Sequence, residues 1–101
     1  MDIQLIKNEA VTTIRFIGRL DTPASADAAK AVEPALQDAA GTIVLECSEM
    51  TYISSSGLRI FLTLRKAAAA AGGKVIVQHI SPDIRQVFMI TGFLNLFEIE
   101  D

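Results

Sequence analysis

Two apolar, β-branched runs separated by one helix-length segment constrain this chain more than any other feature. Thr42 to Cys47 and Lys74 to Ile80 each have the length and composition of a strand, and the first reads as a buried central strand. Between them, a segment from about Leu58 to Ala71 is rich in good helix formers and is closed by Gly72-Gly73. A strand, helix, strand unit of this kind sets its two strands parallel and joins them through a right-handed crossover.

The flanking segments extend the pattern. Ile3 and Leu5 alternate with polar neighbours, Lys7-Asn8-Glu9 reads as a turn, and Val11 to Leu20 is β-rich. That gives an antiparallel hairpin, with Ile14, Phe16 and Gly18 on one face of its second strand and Arg15 and Arg19 on the other. Thr22-Pro23 reads as a helix start, with Thr22 as N-cap and Pro23 at the first helical position. This helix should bury Ala28, Ala31, Val32, Ala35 and Leu36. Pro34 removes a backbone donor, so a kink or two pieces joined near Glu33 are expected.

Ser48 to Ile53 reads as a loop leading into Ser54-Ser55-Ser56-Gly57. In the helix that follows, Leu58, Phe61, Leu62 and Arg65 mark one face, with Ile60 and Leu64 beside it. Ser81-Pro82-Asp83 opens a third helix, whose stripe Ile84, Val87, Phe88 and Thr91 ends at Gly92. The tail from Phe93 to Ile99 should end in an edge strand. The expected order is β-β-α-β-α-β-α-β: a single α/β domain over residues 1–101, with a mixed sheet of four or five strands and helices mainly on one side.

Composition narrows the function. The chain has 101 residues, half of them hydrophobic, enough for one core without disulfide or metal support. A net charge of −3 with interspersed signs predicts no direct nucleic-acid or membrane binding. One cysteine, Cys47, and one histidine, His79, cannot supply the ligands of a zinc site, and no phosphate-binding glycine loop suggests a cofactor. Cys47 reads as a small buried apolar side chain. The first residues lack a basic and apolar leader, and no uncharged apolar stretch approaches the ~18 residues of a membrane span. A cytoplasmic protein is expected.

The candidate site is the serine turn between a buried strand and a helix. Unpaired N–H groups and the positive end of the helix dipole make this a place where an anion is tolerated. A phosphoserine at Ser55 or Ser56 would add about −1.5 to −2 charges on an exposed loop without melting the helix. An ordinary N-cap also explains a serine here, although three in a row exceed what a cap requires. Asp21 ends the second strand. It reads either as a cap for the first helix or as a neighbour of the serine loop, because both lie where open α/β sheets build sites, at the C-terminal ends of strands.

These residues carry a resemblance. Gly18-Arg19-Leu20-Asp21 resembles the G-x-L-D element of STAS domains. Thr42-Ile43-Val44-Leu45 followed by Tyr52-Ile53-Ser54-Ser55-Ser56-Gly57-Leu58 resembles the family's central strand and its D-S-[S/T]-G-L loop. Gly72-Gly73, Ser81-Pro82, Thr91-Gly92-Phe93 and Leu96-Phe97 match in order and approximate spacing, so the resemblance spans nearly the whole chain.

The resemblance implies an anti-sigma factor antagonist, which is a regulator and not an enzyme. In that family the unphosphorylated form binds an anti-sigma factor that is also a serine kinase, and so frees a sigma factor. The kinase phosphorylates the loop serine, and a PPM-type serine phosphatase reverses it. By position, Ser55 is the phosphoacceptor, and Asp21, Ser54, Ser56 and Gly57 belong to the partner-binding surface. The chain departs from the family at one place: Ser54 stands where the family has aspartate. A non-switching STAS adaptor subunit of a lipid or other membrane transporter is the alternative. A serine hydrolase is disfavoured, because His79 sits late in a strand and no G-x-S-x-G elbow surrounds the serines. Oligomeric state is left open.

Overall fold

A computed structural model of the chain describes residues 1–100; Asp101, the last residue of the expected domain, lies outside the described residues. Five strands form one sheet in the order β1-β2-β3-β4-β5. β1 (Asp2–Asn8) and β2 (Val11–Leu20) form the antiparallel hairpin. β3 (Thr42–Ile53), β4 (Lys74–Gln78) and β5 (Glu98–Glu100) then add in parallel, each beside its predecessor. The sheet is mixed, as the sequence predicts.

The helices collect on one face. Ile14, Phe16, Ile43, Leu45, Cys47, Val75 and Val77 point into a single core. Each is in the period-two phase that turns toward the helices. The alternate residues Arg15, Glu46, Gln78 and Glu100 run in register across the helix-free face, with Gln4 at the β1 edge. Burial raises the pKa of the Cys47 thiol, with the Glu46 carboxylate adding to the effect, so Cys47 packs as an apolar side chain.

α1 (Thr22–Ala31) and α2 (Glu33–Leu36) are the two pieces expected around Pro34, and Val32 forms the break between them. α3 (Ser55–Ala71) crosses the sheet from β3 to β4, burying Leu58, Ile60, Phe61, Leu64 and Ala68. Its inward face therefore differs from the expected one, with Leu62 and Arg65 only half-buried at its edge. Phe61 is the hub of the core: its ring lies 5.2 Å from Phe16, 6.0 Å from Phe88 and 6.3 Å from Phe97. Tilted and edge-on contacts of this kind add to the burial of each ring. They lock α3 to β2, to α4 (Pro82–Thr91) and to the segment entering β5. Gly72 and Gly92 end α3 and α4 in the left-handed region, at φ 83° and 80°.

Several expectations need correction. Ser48 to Ile53 is not a loop; β3 runs on to Ile53 because β2 is long enough to pair it up to Leu20. The cap of α1 is Asp21, not Thr22, and Pro23 falls at the second helical position. β4 stops at Gln78. His79 adopts φ 58° just beyond it and so lies outside the strand. The tail first makes a 3-10 turn over Phe93–Asn95 and only then β5. Among the described residues no helix is long and apolar enough to cross a membrane.

Candidate functional site

The C-terminal ends of β2 and β3 meet at one edge of the molecule and bring the sequence-predicted residues together. The strands stay paired to their last residues, Leu20 opposite Ile53. The Ser54 N–H then donates to the Leu20 carbonyl at 2.9 Å, carrying the ladder one step past the strand. Asp21 and Ser54 therefore leave the sheet side by side, each starting a helix.

The two residues play the same local part. Asp21 sits in extended backbone, and its Oδ1 accepts from the Ala24 N–H at 3.0 Å. The Ser25 hydroxyl donates to the Asp21 carbonyl at 2.8 Å. Ser54 is likewise extended; its Oγ accepts from the Gly57 N–H at 3.1 Å, and its carbonyl accepts from the Leu58 N–H at 2.9 Å. Both are N-caps, satisfying amides that a helix start leaves open.

Capping separates the three serines. Ser54 is 7% exposed, with its hydroxyl turned to the Gly57 amide. Ser55 is the first helical residue and is exposed, while Ser56 is half-buried. Gly57 is buried against the end of β2, where an added Cβ would lie 2.8 Å from Leu20 Cγ and 2.9 Å from Ile53 Cγ1.

Residues that the sequence did not single out complete the edge. The Arg19 guanidinium lies 4.4 Å from the centroid of the Tyr52 ring, and its Nε is 3.9 Å from Asp21 Oδ2. Arg19 and Tyr52 are register partners on β2 and β3. Reading Ser48 to Ile53 as a loop hid that pairing. Arg59 stands exposed one helical turn after Ser55; its carbonyl accepts from the Thr63 hydroxyl. Asp21 also borders an open groove of about 410 Å³ between β1 and α1, lined by Ile3, Ala24, Asp27 and Ala28 among others.

A second polar cluster lies on the helix-free face. Glu46 Oε2 is 2.8 Å from His79 Nδ1, and Glu46 Oε1 accepts from the Ser48 N–H at 2.9 Å. Burial alone would raise the Glu46 carboxyl. The Ser48 amide and then the His79 ring outweigh it and hold the group below its ordinary value. His79 holds this contact from left-handed backbone. His79 is thus tied to Glu46 and not directed at the serines.

The edge presents an exposed hydroxyl, a carboxylate and two guanidinium groups beside an open groove. That arrangement suits docking of another macromolecule and modification of the hydroxyl.

Comparison with known proteins identifies the family and the fold. The profile of the STAS domain matches residues 2–101. A Bordetella bronchiseptica protein, BtrV, whose name assigns it provisionally as an anti-sigma factor antagonist, is 37% identical over 57 residues. That match covers 56% of this chain and 49% of BtrV, about half its length. A STAS-domain containing protein of Pseudomonas aeruginosa is 31% identical over 87 residues, covering 86% of this chain and 85% of the relative. Among solved structures, the Bacillus anti-sigma factor antagonist SpoIIAA superposes in its unphosphorylated form with a TM-score of 0.75 at 24% identity, covering 99% of this chain and 88% of its own. Its phosphorylated form gives 0.74 at 25% identity, covering 97% and 90%.

Proposed function

The chain belongs to the STAS domain family, and on that footing we propose that it is an anti-sigma factor antagonist switched by phosphorylation of Ser55. The unmodified protein docks on an anti-sigma factor that is also a serine kinase, through the edge formed by Asp21, Ser54, Ser55, Ser56 and Gly57, and so releases a sigma factor in the cytoplasm. The relatives named as anti-sigma factor antagonists support the class of partner.

One observation carries the choice of residue. Of the three adjacent serines, Ser54 spends its hydroxyl on the Gly57 amide and is buried, Ser56 is half-buried, and Ser55 is exposed at the first helical position. In the transfer, Ser55 Oγ bonds to the γ-phosphorus of ATP held by the kinase. The bond from that phosphorus to the β–γ bridging oxygen breaks, ADP leaves, and the hydroxyl proton passes to a base of the kinase. A PPM-type phosphatase reverses the state: water attacks the phosphorus, the serine–phosphate bond breaks, and inorganic phosphate departs.

The added charge of about −1.5 to −2 sits at a helix start, where it does not unfold α3. It lies beside Asp21 on the docking edge, so it weakens binding by repulsion and desolvation. The chain is then a non-catalytic subunit whose occupancy is set by its own modification.

Intact-mass analysis of the protein from its own cells, with and without phosphatase, tests this directly. One removable phosphate mapped to Ser55 is the expected result. Phosphate on Ser54 or Ser56 overturns the residue choice, and a mass that phosphatase never changes overturns the switch. Affinity capture from the same cells reads the partner, for which an ATP-binding kinase is expected. Recovery of transporter subunits would instead favour a non-switching adaptor, the reading that the missing carboxylate at Ser54 favours.

A further inference from the structure

The inference rests on Ser55 being the phosphoacceptor and concerns where its new charge goes. Two arginines on different elements are placed near that residue, one by helical spacing and one by strand register. Arg59 follows Ser55 by four residues on α3, the spacing at which helix side chains stand one above the other. Long helical side chains lean toward the helix N-terminus, which directs Arg59 back over the turn that begins at Ser55. Among the described residues its guanidinium has no hydrogen-bond or ion-pair partner.

Arg19 approaches from the sheet. It lies on β2 two residues before Asp21, and Asp21 leaves the sheet beside Ser54. Its present contacts are replaceable: an exposed stacking on Tyr52 at 4.4 Å and a 3.9 Å approach to Asp21, with 63% of its own side chain exposed. Asp21 meanwhile has its Oδ1 engaged by the Ala24 amide. At Ser54, where the family carries a carboxylate, this chain has a neutral hydroxyl. The charged groups placed around Ser55 by spacing and register are then the Asp21 carboxylate and the two guanidinium groups.

We propose that Arg19 and Arg59 form a phosphate clamp that closes on Ser55 after its phosphorylation. Guanidinium groups pair with phosphate oxygens through two parallel N–H donors, which is stronger than either present contact of Arg19. On closure Arg19 leaves the Tyr52 ring, and both cations are withdrawn from the docking edge. The modified state is then a distinct, ordered surface as well as a repulsive one.

The test uses the full chain with phosphoserine installed at position 55 during translation, so it needs no knowledge of the kinase. Phosphorus NMR follows the second ionisation of the phosphate, which lies near 6 for a free phosphoserine. The expected midpoint is lower in the otherwise wild-type protein, and rises by about half a unit or more in Arg59→Gln and in Arg19→Gln. Arg19→Lys and Arg59→Lys should recover part of the shift. Tyr52 is the only tyrosine in a chain without tryptophan, so its ring resonances report Arg19 directly. They should move on phosphorylation in the wild-type background and not in Arg19→Gln. Thermal unfolding of the unphosphorylated variants controls for loss of fold.

Midpoints that are equally low in wild type and both glutamine variants would assign the phosphate to the helix N-terminus alone and overturn the clamp. A static Tyr52 signal would overturn the part given to Arg19. A clamp that behaves as expected in a chain carrying no phosphate in its own cells would leave the inference standing and sink the switch instead.

Discussion

Gly57 packs against Leu20 so closely that no side chain fits between them. A Cβ at Gly57 would lie 2.8 Å from Leu20 Cγ and 2.9 Å from Leu20 Cδ2. Leu20 is fully buried, so it has little room to yield. The glycine is required here for space and not for an unusual backbone angle. It lets the first turn of α3 rest directly on the end of β2, which fixes the position of the serines relative to Asp21.

Gly57→Ala is therefore expected to destabilise the protein by about 1–3 kcal/mol, the usual cost of overpacking a filled core. Urea unfolding measures the loss. A variant as stable as wild type would mean that α3 can slide outward freely, and the rigid placement of Ser55 would no longer hold.

Asp21 combines a cap with a charge, and the two can be separated. Asp21→Ala should cost about 1 kcal/mol by releasing the Ala24 amide. Asp21→Asn should keep most of that stability while removing the charge. If the carboxylate serves partner docking, Asp21→Asn weakens binding to the proposed anti-sigma factor partner although its unfolding midpoint stays near wild type. Equal binding by the two proteins would confine Asp21 to the cap.

Ser54 poses the complementary case. Ser54→Ala should lose about 1 kcal/mol, because the Gly57 amide is buried and loses its acceptor. Ser54→Asp supplies an acceptor at the same N-cap and restores the family's carboxylate. It should recover the stability and, by repulsion, raise the phosphate ionisation midpoint at Ser55. A midpoint unchanged by Ser54→Asp would show that charge at this position does not reach the acceptor.

The Glu46 carboxyl carries a pH dependence of defined sign. Its folded-state pKa lies below the ordinary value, so the unfolded chain takes up this proton first as acid is added. The stabilisation is complete above the ordinary carboxyl value of the unfolded chain and is lost as pH falls through the lower folded value. Glu46→Gln should flatten the acid limb of the stability curve, and His79→Gln should flatten it in part, since the Ser48 amide remains. Urea midpoints from about pH 7 to about pH 3 would show this. An acid limb identical to wild type in Glu46→Gln would remove the pair from the account.

How much could be read in the sequence depended on whether a residue's role was local. The break near Pro34, the cap and proline at Ser81-Pro82 and the stop at Gly92 follow from backbone chemistry within a few residues, and each stands where it was expected. The parallel pairing of β3 with β4 followed from one helix-length segment between apolar runs. The end of β3 did not, because Ser48, Glu49, Thr51 and Tyr52 are exposed and lack an apolar pattern; pairing with the long β2 makes them strand. The Arg19–Tyr52 contact was invisible for the same reason. His79 was placed in β4 because nothing local marks a left-handed histidine, and only the distant Glu46 explains it. The serine run was legible as a strand-to-helix turn, but which hydroxyl is exposed depends on Ser54 reaching the Gly57 amide.

Strand order has a consequence for synthesis. Because β1 to β5 lie in the sheet in the order in which they occur along the chain, each strand leaving the ribosome finds its neighbour already made. The growing sheet keeps a single advancing edge, and no strand waits to be inserted between two others. That edge is closed at the end by three residues, Glu98–Glu100, two of them acidic. A nascent chain halted before them would present the apolar β4 edge to the cell, so those residues act as the gatekeepers of a sheet assembled strand by strand.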